Sequence, residues 1–199
     1  MKIGIDCDDV LLNYAQALVD YRNRTSSHHI KLSALNEYDL QRYLRFSTPE
    51  AYAKFLESFE RSKEFKDMPV MKGSSEYISL LFEKEYELEV ITSRRPPHIR
   101  KTISRLHNEF PGYFSRINFT HLNSDPTPKV RICKDRGIQI IIDDNPTIIQ
   151  RCTNAGVIGI IFDRPWNRGQ KYNHLPRTNT WFNIDSLISN LIYSACKKD

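Results

Sequence analysis

The sequence predicts an α/β fold, a doubly wound and mainly parallel sheet with a small helical unit inserted after its first strand. Three observations carry this. From residue 73 onward, short apolar runs of strand length alternate with amphipathic stretches of helix length, and crossovers of that length connect parallel strands. The run Ile138 to Ile142 is apolar throughout, as in a strand covered on both faces. Residues 12–72 read as helices only, too long a stretch for a single crossover. The 199 residues, 40% of them hydrophobic, suffice for one sizeable core, formed by 1–11 and 73–199, plus the insert at 12–72.

Each element has its own signal. Ile3 and Ile5 flank Gly4 in a first strand that stops at Asp6, Asp8 and Asp9. Val10, Leu11, Tyr14, Leu18 and Tyr21 recur at helical spacing and predict a helix from Val10 to about Arg24. After the polar stretch Thr25 to His29, helices are predicted over Leu35 to Phe46 and Glu50 to Phe65. The second opens on Thr48 as cap, Pro49 in the first helical position and Glu50 in the first turn. Aromatics crowd this region: Tyr38, Tyr43, Phe46, Tyr52, Phe55, Phe59 and Phe65 read as the core of a helical unit. Beyond it come the helix Ser75 to Tyr86, the strand Leu88 to Thr92, the helix Pro96 to Phe110 broken by Pro111-Gly112, and the strand Ile117 to Leu122. A short helix Thr127 to Arg136 stops at Gly137, and Ile138 to Ile142 follows as a strand ending in Asp143-Asp144. The helix Pro146 to Ala155, the strand Val157 to Phe162, a loop from Asp163 to Asn179 and a closing helix Ile184 to Ala195 complete the chain.

No apolar run is long enough to cross a bilayer and the N-terminus has no signal-peptide pattern. Cys7, Cys133, Cys152 and Cys196 are scattered, without zinc or redox spacing, so reduced thiols in a cytoplasmic protein are expected. The formal charge of +5 is gathered in Arg94-Arg95, Arg100-Lys101, Lys129 to Arg136, Arg164 to Lys171 and Lys197-Lys198. Such an excess suits an anionic small substrate or nucleic acid, but no nucleic-acid-binding signature accompanies it, so nucleic acid is the less favoured partner.

In an open parallel sheet, ligands bind beyond the carboxyl ends of the strands. Those ends carry Asp6 and Asp8, then Thr92, Ser93 and Arg94, then Asp143 and Asp144, while Lys129 starts the helix before the last strand named. Crowded carboxylates repel one another, and a cation relieves the repulsion. Carboxylates from two strands can converge on one hard cation such as Mg²⁺, and hydroxyls with an ammonium beside it suit a phosphate. The spacing excludes an EF-hand, since position twelve counted from Asp6 is Ala17. No Gly-rich phosphate loop, dinucleotide fingerprint or nucleophile elbow is present.

Taken together, Ile5-Asp6-Cys7-Asp8-Asp9-Val10, Val90-Ile91-Thr92-Ser93, Lys129 and Ile141-Ile142-Asp143-Asp144-Asn145 resemble the four motifs of the haloacid dehalogenase (HAD) superfamily of phosphohydrolases, in the right order. The resemblance covers most of the chain and implies a Rossmann-like sheet, with the insert as a C1-type helical cap. Within the superfamily the chain looks most like the 5′(3′)-deoxyribonucleotidase group. The features are the compact insert, Val90-Ile91-Thr92-Ser93-Arg94-Arg95-Pro96, and Phe162-Asp163-Arg164-Pro165-Trp166-Asn167-Arg168. The resemblance implies a Mg²⁺-dependent phosphomonoesterase acting on nucleoside monophosphates. Asp6 is then the nucleophile that forms an aspartyl-phosphate, and Asp8 the general acid and base. Thr92, Ser93 and Lys129 bind the phosphate, and Asp6, Asp143 and the backbone carbonyl of Asp8 hold the metal. Asp144 is a metal-shell or lysine-orienting residue, and Asp9 stands where many relatives carry Gly.

Some positions keep two readings. Lys134 competes with Lys129 as the active lysine, which is preferred because its helix leads into the Asp143 strand. Trp166 and Arg168 either pack their loop or touch substrate, Arg94 and Arg95 are expected at the surface, and Asn145 is a helix cap or a ligand contact. His98, His107 and His121 are expected to be structural or exposed. Another phosphate ester, a nucleic-acid terminus, and a non-catalytic binding domain are the alternative functions, and the chain is compatible with a monomer or a homodimer. A sugar-nucleotide transferase is disfavoured because its D-x-D site is expected well inside the chain.

Overall fold

The computed structural model describes residues 1–36, 39–120 and 127–197. Among them six strands form one sheet: β1 (Lys2–Ile5), β2 (Glu87–Thr92), β3 (Phe114–Phe119), β4 (Ile140–Asp143), β5 (Ile158–Phe162) and β6 (Arg177–Thr178). Their order is β3-β2-β1-β4-β5-β6 and every neighbouring pair is parallel. The helices are α1 (Tyr14–Thr25), α2 (Leu40–Tyr43), α3 (Pro49–Phe59), α4 (Lys63–Lys66), α5 (Ser74–Glu83), α6 (Ile99–Glu109), α7 (Pro128–Arg136), α8 (Pro146–Asn154) and α9 (Ile184–Cys196). The two-residue β6 lies in the stretch read as loop, because so short a strand carries no periodicity.

Alternation along the strands divides the interior in two. Ile3, Ile5, Val90, Ile140, Ile142 and Ile160 join one core, shared with Leu18 of α1, Ile78 and Leu81 of α5, and Ile188 of α9. Ile91, Ile141 and Ile161 face the other way, against Ile132 and Cys133 of α7 and Ile149 and Cys152 of α8. Burial on both faces is what the continuous apolar strands predicted. At Gly4 a Cβ would lie 2.8 Å from Ile91 Cδ1 and 3.1 Å from Ile138 Cγ2, so the absent side chain admits this second layer. Gly137, at φ +66°, ends α7 in the left-handed conformation that glycine adopts freely.

The helices after β1 differ from the sequence expectation. The predicted helix from Val10 begins at Tyr14, four residues later. Leu11 and Leu12 both donate their N–H to the Cys7 carbonyl, and Asp9 sits at φ +58°, so the apolar run Val10 to Leu12 is a buried turn. Among the described residues of Leu35 to Phe46, helix is found at α2, with a 3₁₀ turn over Leu32–Ala34 before it and Arg45 at φ +60° after it. Glu50 to Phe65 is two helices. Thr48 caps α3 by accepting from the Ala51 N–H at 3.2 Å, and Ser62 starts α4 by accepting from the Phe65 N–H at 3.2 Å. The break lets Phe59 and Phe65 meet edge to face at 5.4 Å, with Tyr14 against Phe59 at 5.5 Å. Tyr38 lies outside the described residues, as do His121 and Leu122.

The chain leaves β1 and returns to α5 through adjacent backbone. Leu12 pairs antiparallel with Val70, Asn13 donates its N–H to the Pro69 carbonyl at 2.8 Å, and Met71 donates to Leu11 at 2.8 Å. From the far end of the sequence, fully buried Trp181 donates Nε1–H to the Val10 carbonyl at 2.8 Å.

Candidate active site

The strand order reverses between β1 and β4, and the crevice outside their carboxyl ends is where a doubly wound sheet receives a ligand. Register does the rest. Ile5 lies beside Ile142, and the Asp6 N–H donates to the Ile142 carbonyl at 2.9 Å, so Asp6 and Asp143 leave the sheet side by side. Lys129, in the first turn of α7, is buried and reaches both with Nζ at 2.6 Å from Asp6 Oδ1 and 2.6 Å from Asp143 Oδ2. Asp144 supplies a third carboxylate, and oxygens of Asp6, Asp143 and Asp144 lie within 4.8 Å of one another, all three residues buried.

This leaves three buried carboxylates around one ammonium. Burial pushes Asp6 up to about 7 against the pull of Lys129, with Asp143 and Asp8 adding to the rise. Burial, then the charges of Asp143, Asp9 and Asp6, hold Asp144 well above the usual carboxylate range, against the hydrogen bond from Trp166. Burial disfavours the Lys129 charge, but Asp143 and Asp6 outweigh it and raise the ammonium above its ordinary value. The uncompensated negative charge and the all-oxygen donor set fit a hard divalent cation such as Mg²⁺.

The neighbours fix these groups. Asp143 Oδ1 accepts the Asn145 N–H at 2.8 Å. Asn145 itself caps α8, its Oδ1 accepting from Thr147 and Ile148, and also lines the cavity. Trp166 Nε1–H donates to Asp144 Oδ2 at 2.8 Å, and Asn167 Nδ2 donates to the Asp144 and Phe162 carbonyls at 2.7 and 2.9 Å. The segment after the last long strand thus holds Asp144; Trp166 borders the cavity, while Arg168 is exposed and paired with Asp163.

Asp8 stands apart from the carboxylate cluster. Its carboxylate is gripped by Arg94, Nη2 at 2.6 Å and Nε at 3.1 Å from both oxygens. The expectation that Arg94 lies at the surface is overturned: it is buried, donates Nη1–H to Thr102 Oγ1 at 3.2 Å and lies 5.3 Å over the Phe65 ring. Its position directly after Thr92-Ser93 was the available signal. Arg95 is exposed as expected. Thr92 is fully buried, with Oγ1 accepting from the Arg94 N–H at 3.2 Å, whereas Ser93 opens onto the cavity. Lys134 is exposed at the other end of α7, away from Asp6 and Asp143. His98 is buried, 2.9 Å from Glu60, and His107 is exposed.

Asp9, left without a role by the sequence, stabilises the start of α1: both its carboxylate oxygens accept from the Ala15 N–H, at 3.0 and 3.2 Å, and Arg164 lies 3.6 Å away. The cavity enclosed by these groups measures about 190 Å³. Asp6, Asp8, Lys129, Asp143 and Asp144 form one side, and Tyr14, Leu35, Leu40 and Trp166 an apolar one.

Comparison with known proteins agrees with this arrangement. The profile described as 5′ nucleotidase, deoxy (pyrimidine), cytosolic type C protein matches residues 1–195. A candidate nucleotidase of Oceanobacillus iheyensis is 26% identical over 183 residues, 86% of this chain and 91% of that protein. A candidate nucleotidase of Bacillus subtilis is 25% identical over 196 residues, 96% of this chain and 94% of that protein. In fold, the chain resembles a haloacid dehalogenase-like protein of Agrobacterium tumefaciens with a TM-score of 0.69 at 14% identity, covering 96% of this chain and 98% of the other. A haloacid dehalogenase-like hydrolase of Streptococcus pneumoniae gives 0.66 at 13% identity, over 94% and 97% of the two chains.

Proposed function

The chain belongs to the 5′-nucleotidase, deoxy (pyrimidine), cytosolic type C family and is thereby a phosphatase of the HAD superfamily; from that premise we propose that it hydrolyses nucleoside monophosphates with Mg²⁺, through an aspartyl-phosphate on Asp6. The observation that carries this reading is the Lys129 ammonium set 2.6 Å from a carboxylate of each switch-point strand, Asp6 and Asp143.

Asp6, Asp143 and Asp144, with the Asp8 backbone carbonyl, would hold Mg²⁺, which when bound offsets the repulsion between a carboxylate nucleophile and an anionic phosphate. An Asp6 oxygen attacks phosphorus and the ester P–O bond breaks. The departing oxygen takes its proton from Asp8. Asp8 then takes a proton from water, whose oxygen attacks phosphorus, breaks the bond to Asp6 and releases orthophosphate. Lys129 favours the ionised form of Asp6 against its burial and balances the phosphate charge. Ser93 bonds a phosphate oxygen, and Thr92 beneath it, through the Arg94 N–H, sets the turn that presents Ser93. Residues 12–72 act as the cap, with Tyr14, Leu35 and Leu40 meeting the nucleoside. Reduced, buried Cys7, Cys133 and Cys152 suit a cytoplasmic setting, and no helix among the described residues is long and apolar enough to cross a membrane.

The test is phosphate release from an aryl phosphate and from 5′- and 3′-mononucleotides, with Mg²⁺ and with chelator. Release is expected from nucleotides, abolished by chelator and by Asp6→Asn with folding intact. Normal rates in Asp6→Asn would remove the covalent mechanism. Turnover of sugar phosphates but not nucleotides would remove the substrate class.

A further inference from the structure

A second, larger cavity of about 500 Å³ opens on the opposite side of Arg94, in the seam between α4 and α6. Its polar wall carries Arg61, Lys66, Arg94, Arg100, Lys101 and Arg105, against two acidic residues, Glu60 and Asp67. Glu60 is already engaged by His98 at 2.9 Å. Arg61, Lys66, Arg100 and Lys101 are exposed and make no ion pair among the described residues. Arg105 donates one N–H to the Met68 carbonyl at 3.0 Å and pairs with Glu109 at 3.1 Å, but its buried Nε–H has no acceptor among the described residues. Leu12, Phe65 and Met68 complete the lining as an apolar floor.

Four unpaired cations converging on one concavity repel each other. Their repulsion is offset only in part by Asp67, without the direct pairing seen at Arg24–Glu64 or Arg136–Glu89. A compact polyanion relieves it best, since guanidinium and ammonium groups bind phosphate oxygens through charge-assisted hydrogen bonds. The volume lies within the usual span of small-molecule sites, ~300–1,000 Å³. The apolar floor gives the non-phosphate part of such a molecule a surface. We propose that this cavity is a second ligand site, for a small molecule carrying two or three linked phosphates, separate from the site at Asp6. Arg94 forms the partition, lining this cavity with its side chain while holding Asp8 of the other.

The site can be tested without turnover. Calorimetry in EDTA, which weakens phosphate binding at the carboxylate cluster, would measure orthophosphate, inorganic tripolyphosphate and ATP against wild type, against R100S/K101S and against Ser93→Ala. Tripolyphosphate and ATP are expected to bind one to one and at least about 10-fold more tightly than orthophosphate. A tighter ATP than tripolyphosphate assigns the floor to the nucleoside; equal affinities assign recognition to the phosphates alone. R100S/K101S, which changes exposed side chains outside the catalytic cavity, is expected to weaken both at least 10-fold, and Ser93→Ala to leave both unchanged. Absence of binding overturns the proposal. So does binding that R100S/K101S leaves intact, or that Ser93→Ala removes.

Discussion

Asp6 and Asp144 each bring a cost to the folded chain that a bound cation would remove. In the unfolded chain both titrate near 3.8, but folding lifts Asp6 to about 7 and Asp144 well above its ordinary range. Between those values the folded protein holds protons that the unfolded chain has released, so the contribution of these two groups to stability is greatest at low pH and declines as pH rises from about 4 towards 7. The Tm of metal-free protein is expected to fall across that interval, and saturating Mg²⁺ to flatten the decline; parallel profiles with and without Mg²⁺ would contradict the metal assignment. Asp144→Asn is expected to raise the metal-free Tm and shrink the Mg²⁺-induced increase. Arg94 acts by positioning Asp8. Asp8→Asn is expected to slow the first half-reaction on a nucleotide by ~10²–10⁴ and the burst of phenol from an aryl phosphate far less, because that leaving group needs no proton, while hydrolysis of the aspartyl-phosphate, which uses Asp8 as base, slows for both. Arg94→Lys is expected to reproduce this leaving-group dependence in milder form, through kcat rather than KM. Equal losses in the first half-reaction of both substrates would reduce Arg94 to a structural role. Asp9 sits in the left-handed region while stabilising α1, so Asp9→Ala is expected to cost about 1–2 kcal/mol in urea unfolding, combining a lost cap with backbone strain.

At the scale of elements, the parallel, doubly wound sheet was legible from the alternation of strand and helix lengths, whereas strand order and register emerge only in the fold. Apolar strands, caps such as Thr48 and stops such as Gly137 are local signals that tertiary structure did not override. Val10 to Leu12 misled because an apolar triplet fits a helix face and a buried turn equally well, and the turn depends on Cys7, Asp9 and Val70, which lie outside any periodicity. The candidate site was legible where it follows strand ends, at Asp6, Ser93 and Asp143, and at Lys129 where a helix starts. It was not legible where a distant partner decides, as at Arg94 with Asp8 and Trp166 with Asp144. Glu89 is another such case: fully buried inside β2, it is read correctly only once Arg136, Asn118 and Lys2 are seen around it. Burial works against its charge, yet the hydrogen bonds from Arg136 and Asn118 hold it below the usual glutamate range. Arg136→Met is expected to destabilise the protein by about 2–3 kcal/mol, measured by denaturant unfolding, since one strong partner of a buried carboxylate is lost while others remain.

Across the whole molecule, the C-terminal segment supports the first motif, because Trp181 closes over Val10 and satisfies its carbonyl. Trp181→Phe leaves that buried carbonyl without its donor and is expected to cost ~1–3 kcal/mol and to lower kcat by loosening the loop that carries Asp8; unchanged kcat would confine Trp181 to stability. The position of β1 has a consequence for biosynthesis. It precedes the other five strands along the chain and is one of the two central strands of the sheet, flanked by β2 and β4. Ile3 and Ile5 stay unpaired until β2 has been translated, and their other edge stays open until β4 follows; long-range pairing of this kind is slow and open to aggregation. A nascent or truncated chain ending before β4 therefore holds Asp6 and Asp8 but has no site in which to use them.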